Sequence, residues 1–341
     1  MAGCHGTTSI QKKRKAHYNN AQPAPHSMSE PSALPAQLDI AIHTQSEHIF
    51  VRADLDGRDA GMFLLDTGAA IDAVGKGIAG RFNLPEKGSG TAMGIAGAEK
   101  FKFREIDSLQ IGDLELDRER LAAINLNRFA NAMGVSVNGV IGYSSLKHAP
   151  FTIDYPNEKL TIYRPNSFLP PTDASAHHLL IRQGLPLVKA QIANGEEIWL
   201  IVDSGADQEL TLPMKYLNKY PKVVSVPMSG AGQSAGVGGK IKNIRTWLGQ
   251  LTLLGVELKN VPVSFEDSPA LQFGNNIPIG RIGHRLLENF RITFHTDERL
   301  VYAEWQPNRI RNGVAQNAGP LPATSHSNTS AVSLRFKPNP E

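Results

Sequence analysis

Two short segments of this 341-residue chain could place carboxylates for acid–base chemistry, Asp66-Thr67-Gly68-Ala69 and Asp203-Ser204-Gly205-Ala206. Each follows four apolar residues, Met62-Phe63-Leu64-Leu65 or Trp199-Leu200-Ile201-Val202, the pattern of a buried strand. A carboxylate at the end of such a strand is costly unless it is paired or hydrogen-bonded. Two carboxylates in contact cannot both ionise, so they share one proton and titrate as a pair. One can then act as general base on a water while the other, protonated, polarises a carbonyl oxygen. A lone D-[ST]-G also serves as a plain Asx-type turn, in which Gly supplies positive φ. Two of them, each ending an apolar strand, weaken that reading.

The elements that must position the two acids are written twice. The first copy runs from Leu38 to Tyr163 and the second from Leu179 to Tyr302. Each opens with strand, turn and strand: Ile49 to Leu55, Asp56-Gly57 and Met62–Leu65, then Leu185 to Ile192, Asn194-Gly195 and Trp199–Val202. Asp-Gly and Asn-Gly between apolar runs signal hairpins, because both central residues must tolerate positive φ. Glycine-rich turns follow at Gly94-Ile95-Ala96-Gly97 and Gly236-Val237-Gly238-Gly239. Further strands (Leu121–Leu126, Val261–Phe265) lead to Gly139-Val140-Ile141-Gly142 and Gly280-Arg281-Ile282-Gly283, each followed by a short helix. The copies close on Phe151–Tyr155 and Phe290–Phe294. The acidic turns lie 137 residues apart and the later glycines 141 apart, so register holds across a whole copy. Short strands with turn punctuation make the class all-β.

These motifs together resemble the aspartic proteases of the pepsin and retropepsin clan, and most of all bacterial retropepsin-like proteases with two D-[ST]-G-A lobes in one chain. The resemblance covers roughly residues 38–305 and implies a bilobal acid-protease fold of two similar β-barrel-like lobes with pseudo-two-fold symmetry. It divides the chain into a basic tail or tether (1–37), an N-terminal lobe (38–163), a proline-marked linker (164–178), a C-terminal lobe (179–305) and a second tail (306–341), with the lobes pairing within one chain. By position, Asp66 and Asp203 would be the catalytic pair, and the chain an aspartic-type endopeptidase. Thr67 and Ser204 would bond across to the opposite lobe's backbone. Gly68 and Gly205 would let the chain turn tightly under the carboxylates. Gly94, Ile95, Ala96 and Gly97, with Gly236, Val237, Gly238 and Gly239, would form flap hairpins over an extended peptide or protein substrate bound largely through its main chain. No metal or cofactor is implied.

Several positions depart from the family pattern. Asp72 and Glu209 stand six residues after the acids, where Ser or Thr is usual; turned inward, they would raise the pair's apparent pKa values. Arg281 replaces an expected apolar residue, and neither glycine turn holds a Tyr for a pepsin-type flap contact. These departures keep an alternative open, a catalytically inactive protein of the same fold that binds an extended peptide or partner. A phosphate or dinucleotide binder using Gly88-Ser89-Gly90 or Gly236–Gly239 is disfavoured, because those glycines open no expected helix.

Composition narrows the remaining classes. Apolar residues make up 41% of the chain, enough for one large or two medium cores. The formal charge is +3, yet residues 1–36 and 306–341 carry +3 each, which leaves 37–305 at −3. A mildly acidic core argues against nucleic-acid binding. No stretch approaches roughly eighteen uncharged apolar residues, so no spanning helix is expected. One cysteine, Cys4, excludes an internal disulfide or a Cys-rich zinc site. The scattered histidines, with His177-His178 as their closest pair, offer no metal motif. Both tails, the first with a Lys12-Lys13-Arg14-Lys15 run, lack periodicity and are expected to be disordered. Met1-Ala2-Gly3-Cys4 resembles the end of a bacterial lipoprotein signal without its apolar stretch. If Cys4 is acylated, the chain belongs to the cell envelope or periplasm; otherwise it is cytoplasmic.

Overall fold

The computed structural model describes residues 36–192, 195–219, 221–224, 230–272, 279–306 and 335–337. Cys4, the basic run and Asn194 lie outside them. The fold is all-β, built from short strands and brief helices. Of the tail beyond 306, the described part is the strand Arg335–Lys337, which pairs antiparallel with the edge strand Glu86–Gly94. An edge strand's free backbone groups offer a template for such pairing, which side-chain periodicity does not report.

Each half of the chain lays its strands in the same spatial order. In the first half it runs Gly97–Glu105, Arg120–Ile124, Ala73–Gly75, Gly139–Gly142, Arg58–Asp66 and His48–Leu55. In the second it runs Gly239–Leu253, Val256–Glu266, Leu210–Pro213, Ile279–Ile282, Glu197–Val202 and Leu185–Ile192. The first hairpin turns at Asp56 and Gly57, with φ of 50° and 68°, as a primed turn between right-twisted strands requires. The strand that ends in each acid is held by a parallel neighbour, Gly142 standing opposite Asp66 and Ile282 opposite Val202. Alternation then sorts the side chains: Phe63 and Leu65 enter the main core, while Leu64 faces a second cluster.

A run of six antiparallel strands joins the halves: Gln37–Ala41, Lys159–Tyr163, Phe151–Asp154, Phe290–His295, Leu300–Trp305 and Ser175–Arg182. At its centre Ile153 faces Ile292, flanked by Phe151 opposite Phe294 and Thr152 opposite Thr293. The two phenylalanine rings stack at 4.6 Å, and the threonine hydroxyls hydrogen-bond at 2.6 Å. The main apolar cluster runs through both halves across this sheet. The strand from Ser175 includes His177 and His178, so that pair belongs to the sheet rather than to a connector. No helix of the described residues is long and apolar enough to cross a membrane.

Candidate active site

The ends of strands Arg58–Asp66 and Glu197–Val202 meet, and the two acidic turns interlock. Thr67 Oγ1 donates to the carbonyl of Val202 at 2.7 Å and accepts from the Ser204 N–H at 3.0 Å. Ser204 Oγ donates to the carbonyl of Leu65 at 2.8 Å and accepts from the Thr67 N–H at 3.0 Å. Every bond has its counterpart with the halves exchanged. All four residues of the core of this lock, Asp66, Thr67, Asp203 and Ser204, have no exposed surface.

The glycines complete the lock for a reason other than the one expected. Neither Gly68 nor Gly205 is among the positive-φ residues. A Cβ on Gly68 would lie 2.2 Å from the Asp203 carboxyl carbon, and one on Gly205 2.4 Å from that of Asp66. The requirement is room: each carboxyl group rests on the bare Cα of the opposite turn. Each glycine N–H also donates to the carboxyl of its own turn, Gly68 to Asp66 Oδ1 at 2.8 Å and Gly205 to Asp203 Oδ1 at 3.1 Å. Among the described residues, the Oδ2 atoms of both acids accept no hydrogen bond.

Burial and the neighbouring Asp203 hold Asp66 well above the usual carboxylate range. Burial raises Asp203 too, but Arg281 pulls it back down. The two acids therefore share a proton at pH values where ordinary carboxylates are ionised. An arrangement of one protonated and one ionised carboxyl can hold a water and a carbonyl oxygen at once.

The glycine-rich turns are the tips of two long hairpins, Glu86–Gly94 with Gly97–Glu105 and Gly230–Gly236 with Gly239–Leu253. The tips touch: the Ala96 N–H donates to the carbonyl of Val237 at 3.3 Å, and a Cβ on Gly94 would strike that oxygen. Each tip also reaches across. The Ile95 carbonyl accepts from Ser268 Oγ at 3.1 Å, and Val237 packs into the first half's second cluster beside Ala69 and Ala92. Ile95 and Val237 are both buried. Gly88–Gly90 lies within a strand and Gly236–Gly239 at a hairpin tip, and neither opens a helix.

Asp72 is inward, yet it is spent locally. It accepts the Gly142 N–H and the Ser144 and Ser145 hydroxyls at 2.7, 2.9 and 2.8 Å, at the start of the short helix Tyr143–Leu146. Glu209 lies 4.0 Å from Arg285, while its carbonyl accepts the Gly283 N–H. The expectation that these acids would load the pair with negative charge is corrected. The charges acting on Asp66 and Asp203 are foremost each other and Arg281.

Two further residues belong to the site: Arg281, which the sequence showed only as a departure from the family pattern, and Glu266, which it did not single out. Arg281 is 1% exposed, with Nε 3.7 Å from Asp203 Oδ2 and Nη2 3.6 Å from Glu266 Oε1, and Glu266 is wholly buried. The signal for Arg281 was a charge inside a glycine-bounded apolar strand. Glu266, at the end of a long strand, carried no signal.

Residues 51–145, which hold Asp66, Asp72 and the first hairpin tip, match the family model of the aspartyl proteases. The match supports an aspartyl protease family and does not extend to Asp203. No curated protein matches the chain.

Proposed function

We propose that this chain is an aspartic-type endopeptidase in which Asp66 and Asp203 form the catalytic pair. In this reading residues 38–163 and 179–305 are two lobes, copies of one unit, and the common strand order of the two halves supports that division. The observation that carries the proposal is the reciprocal lock of Thr67 and Ser204 beneath two buried, hydrogen-bonded carboxyls.

The ionised carboxyl takes a proton from a water whose oxygen attacks the scissile carbonyl carbon. The protonated carboxyl donates to the carbonyl oxygen as the tetrahedral diol forms. On collapse the leaving nitrogen takes the proton that the base carboxyl gained from water as the C–N bond breaks, and a diol hydroxyl returns its proton to the other carboxyl as the new C=O forms, so one shared proton remains. The buried hydrogen-bond lock supplies preorganisation, since misplacement of a reacting group by about 1 Å can cost on the order of 10²-fold in rate. Gly94–Gly97 and Gly236–Gly239 act as two flap tips, one per lobe. Because the acids are fully buried with the tips in contact, the tips separate to admit an extended peptide, which then lies as a strand between them.

The test is incubation of the full chain with an unfolded protein between pH 3 and 7. Cleavage that is lost in both Asp66→Asn and Asp203→Asn supports the enzyme. Absence of cleavage at every pH by the intact chain overturns it in favour of a non-cleaving peptide binder.

A further inference from the structure

The strand Gly139–Gly142 and the strand Ile279–Ile282 occupy the same place in the two halves, yet the residues that follow Gly139 and Gly280 differ in kind. Val140, opposite Leu64, is buried in an apolar cluster with Phe50, Phe101 and Ile124. Arg281, opposite Ile201, is buried between Asp203 and Glu266. None of its side-chain nitrogens makes a hydrogen bond among the described residues, and neither oxygen of Glu266 accepts one. A guanidinium taken out of water and left at 3.6–3.7 Å from two carboxylates contributes little to stability, because desolvation offsets most of the attraction. Its strongest effect is electrostatic and is directed at one carboxyl of the pair.

We propose that Arg281, held from behind by Glu266, is a positioning residue that fixes the negative charge of the acid pair on Asp203. Asp203 is thereby the base toward water and Asp66 the acid toward the carbonyl oxygen. The proposal rests on the peptidase reading for its consequence, and on geometry alone for the charge assignment. The Thr67–Ser204 lock is symmetric and gives neither acid a role; Val140 stands in the first half where Arg281 stands in the second, and Arg281 breaks that symmetry. Other titratable groups also face this corner: Arg285 and Arg245 act on Asp207, His48 lies at the Gly205 backbone, and His284 packs on the Tyr155 ring. Glu266 lies behind the guanidinium, Asp207 on the turn after Asp203 is also under its field, and Tyr155 across the halves faces Asp203. Arg281 lowers the pKa of both Asp66 and Asp203.

The experiment has two arms on the full chain. In the first, the pH profile of kcat/KM is compared for wild type, Arg281→Met, Arg281→Lys and Glu266→Gln. Loss of a cation within about 4–6 Å should move the acid limb of Arg281→Met upward by about one pH unit or more. Arg281→Lys should keep the limb near its wild-type place, and Glu266→Gln should move it downward. In the second arm, ¹³C-labelled Asp203 is titrated by NMR in an Asp66→Asn background with and without Arg281→Met, which requires no activity. An upward shift of the Asp203 midpoint by about one unit supports the charge assignment even if no peptide is cleaved, so failure of the peptidase reading is told apart from failure of this one. Superimposable midpoints in the two backgrounds would overturn it. Should Arg281→Met not fold, Glu266→Gln in the same Asp66→Asn background decides: a lowered Asp203 midpoint supports the assignment, and an unmoved one refutes it.

Discussion

The two halves of this chain share a scaffold and differ in what they bury next to it. Around Asp66 the layer facing the hairpins is apolar: Phe50, Leu64, Ala92, Phe101, Ile124 and Val140, closed by Val237 from the other half. Around Asp203 the apolar layer shrinks to Leu185, Leu187, Ile201, Leu271 and Ile279. Beside it lie buried Gln208, Thr211, Ser234 and Asn243, linked through their side chains, together with the Arg281–Glu266 pair. The positions after the acids follow the same division. Ala70 stands where the second half has Asp207, which burial pushes up to about 7. The parts that hold the two acids against each other are equal, whereas the parts that set their surroundings are not. Symmetry therefore belongs to the geometry of the site and asymmetry to its electrostatics.

The largest effect should come from forcing the first half to resemble the second. Val140→Arg would bury a guanidinium among Phe50, Phe101 and Ile124 with no counterpart of Glu266 to complete its pairing, and an incompletely compensated buried charge costs about 3–5 kcal/mol. Denaturant melts should show the variant largely unfolded. A stable Val140→Arg would mean that the two layers are interchangeable and the contrast between them superficial.

Next in size is the lock, where the two halves should respond alike. Thr67→Val deprives the Ser204 N–H and the Val202 carbonyl of a buried partner, and Ser204→Ala does the same to the Thr67 N–H and the Leu65 carbonyl. At roughly 1–3 kcal/mol per unsatisfied group, each should lower unfolding free energy by about 2–6 kcal/mol, with similar losses for the two. Markedly unequal losses would break the symmetric reading of the geometry.

Asp207 gives a smaller, pH-dependent difference. Its folded-state pKa is raised from 3.8 to about 7, so the folded state holds this proton more tightly than the unfolded chain does. Its contribution to stability is fully present below about pH 4 and is lost as pH rises through about 7. Asp207→Ala, which copies Ala70, should therefore stabilise the protein at pH 8 relative to pH 4, by on the order of 2 kcal/mol. Melting curves at the two pH values check this, and a pH-independent effect would contradict it.

Much of the scaffold was legible in the sequence because its signals are local. Apolar runs ending in Asp, Asp56-Gly57 and the glycine-rich turns each encode a strand end or a hairpin within a few residues. The helices Lys76–Arg81, Asn127–Met133 and Met214–Lys219 were not anticipated. They span only six or seven residues and carry no acid in the first turn, and short helices draw on tertiary packing rather than on propensity. The contact of Phe151–Asp154 with Phe290–His295 is likewise absent from local patterning, because alternation marks a buried face without naming the strand beside it. The site shows the same limit. Asp66, Thr67, Asp203 and Ser204 stood out by motif, while the reason for Gly68 and Gly205 had to await the position of the opposite carboxyl. Arg281 was visible as an oddity, but only the fold gives it Asp203 and Glu266 as neighbours.

The most direct test of the central claim, that Asp66 and Asp203 act as one coupled pair, is a ¹³C NMR titration of their carboxyl carbons in the full chain. Two well-separated macroscopic steps that both carbons report are expected, the upper one far above the usual carboxylate range, with Asp203→Asn removing the two-step behaviour from Asp66. Two independent single-step curves near the ordinary carboxylate value of about 4, unchanged for either acid when the other is replaced, would contradict it.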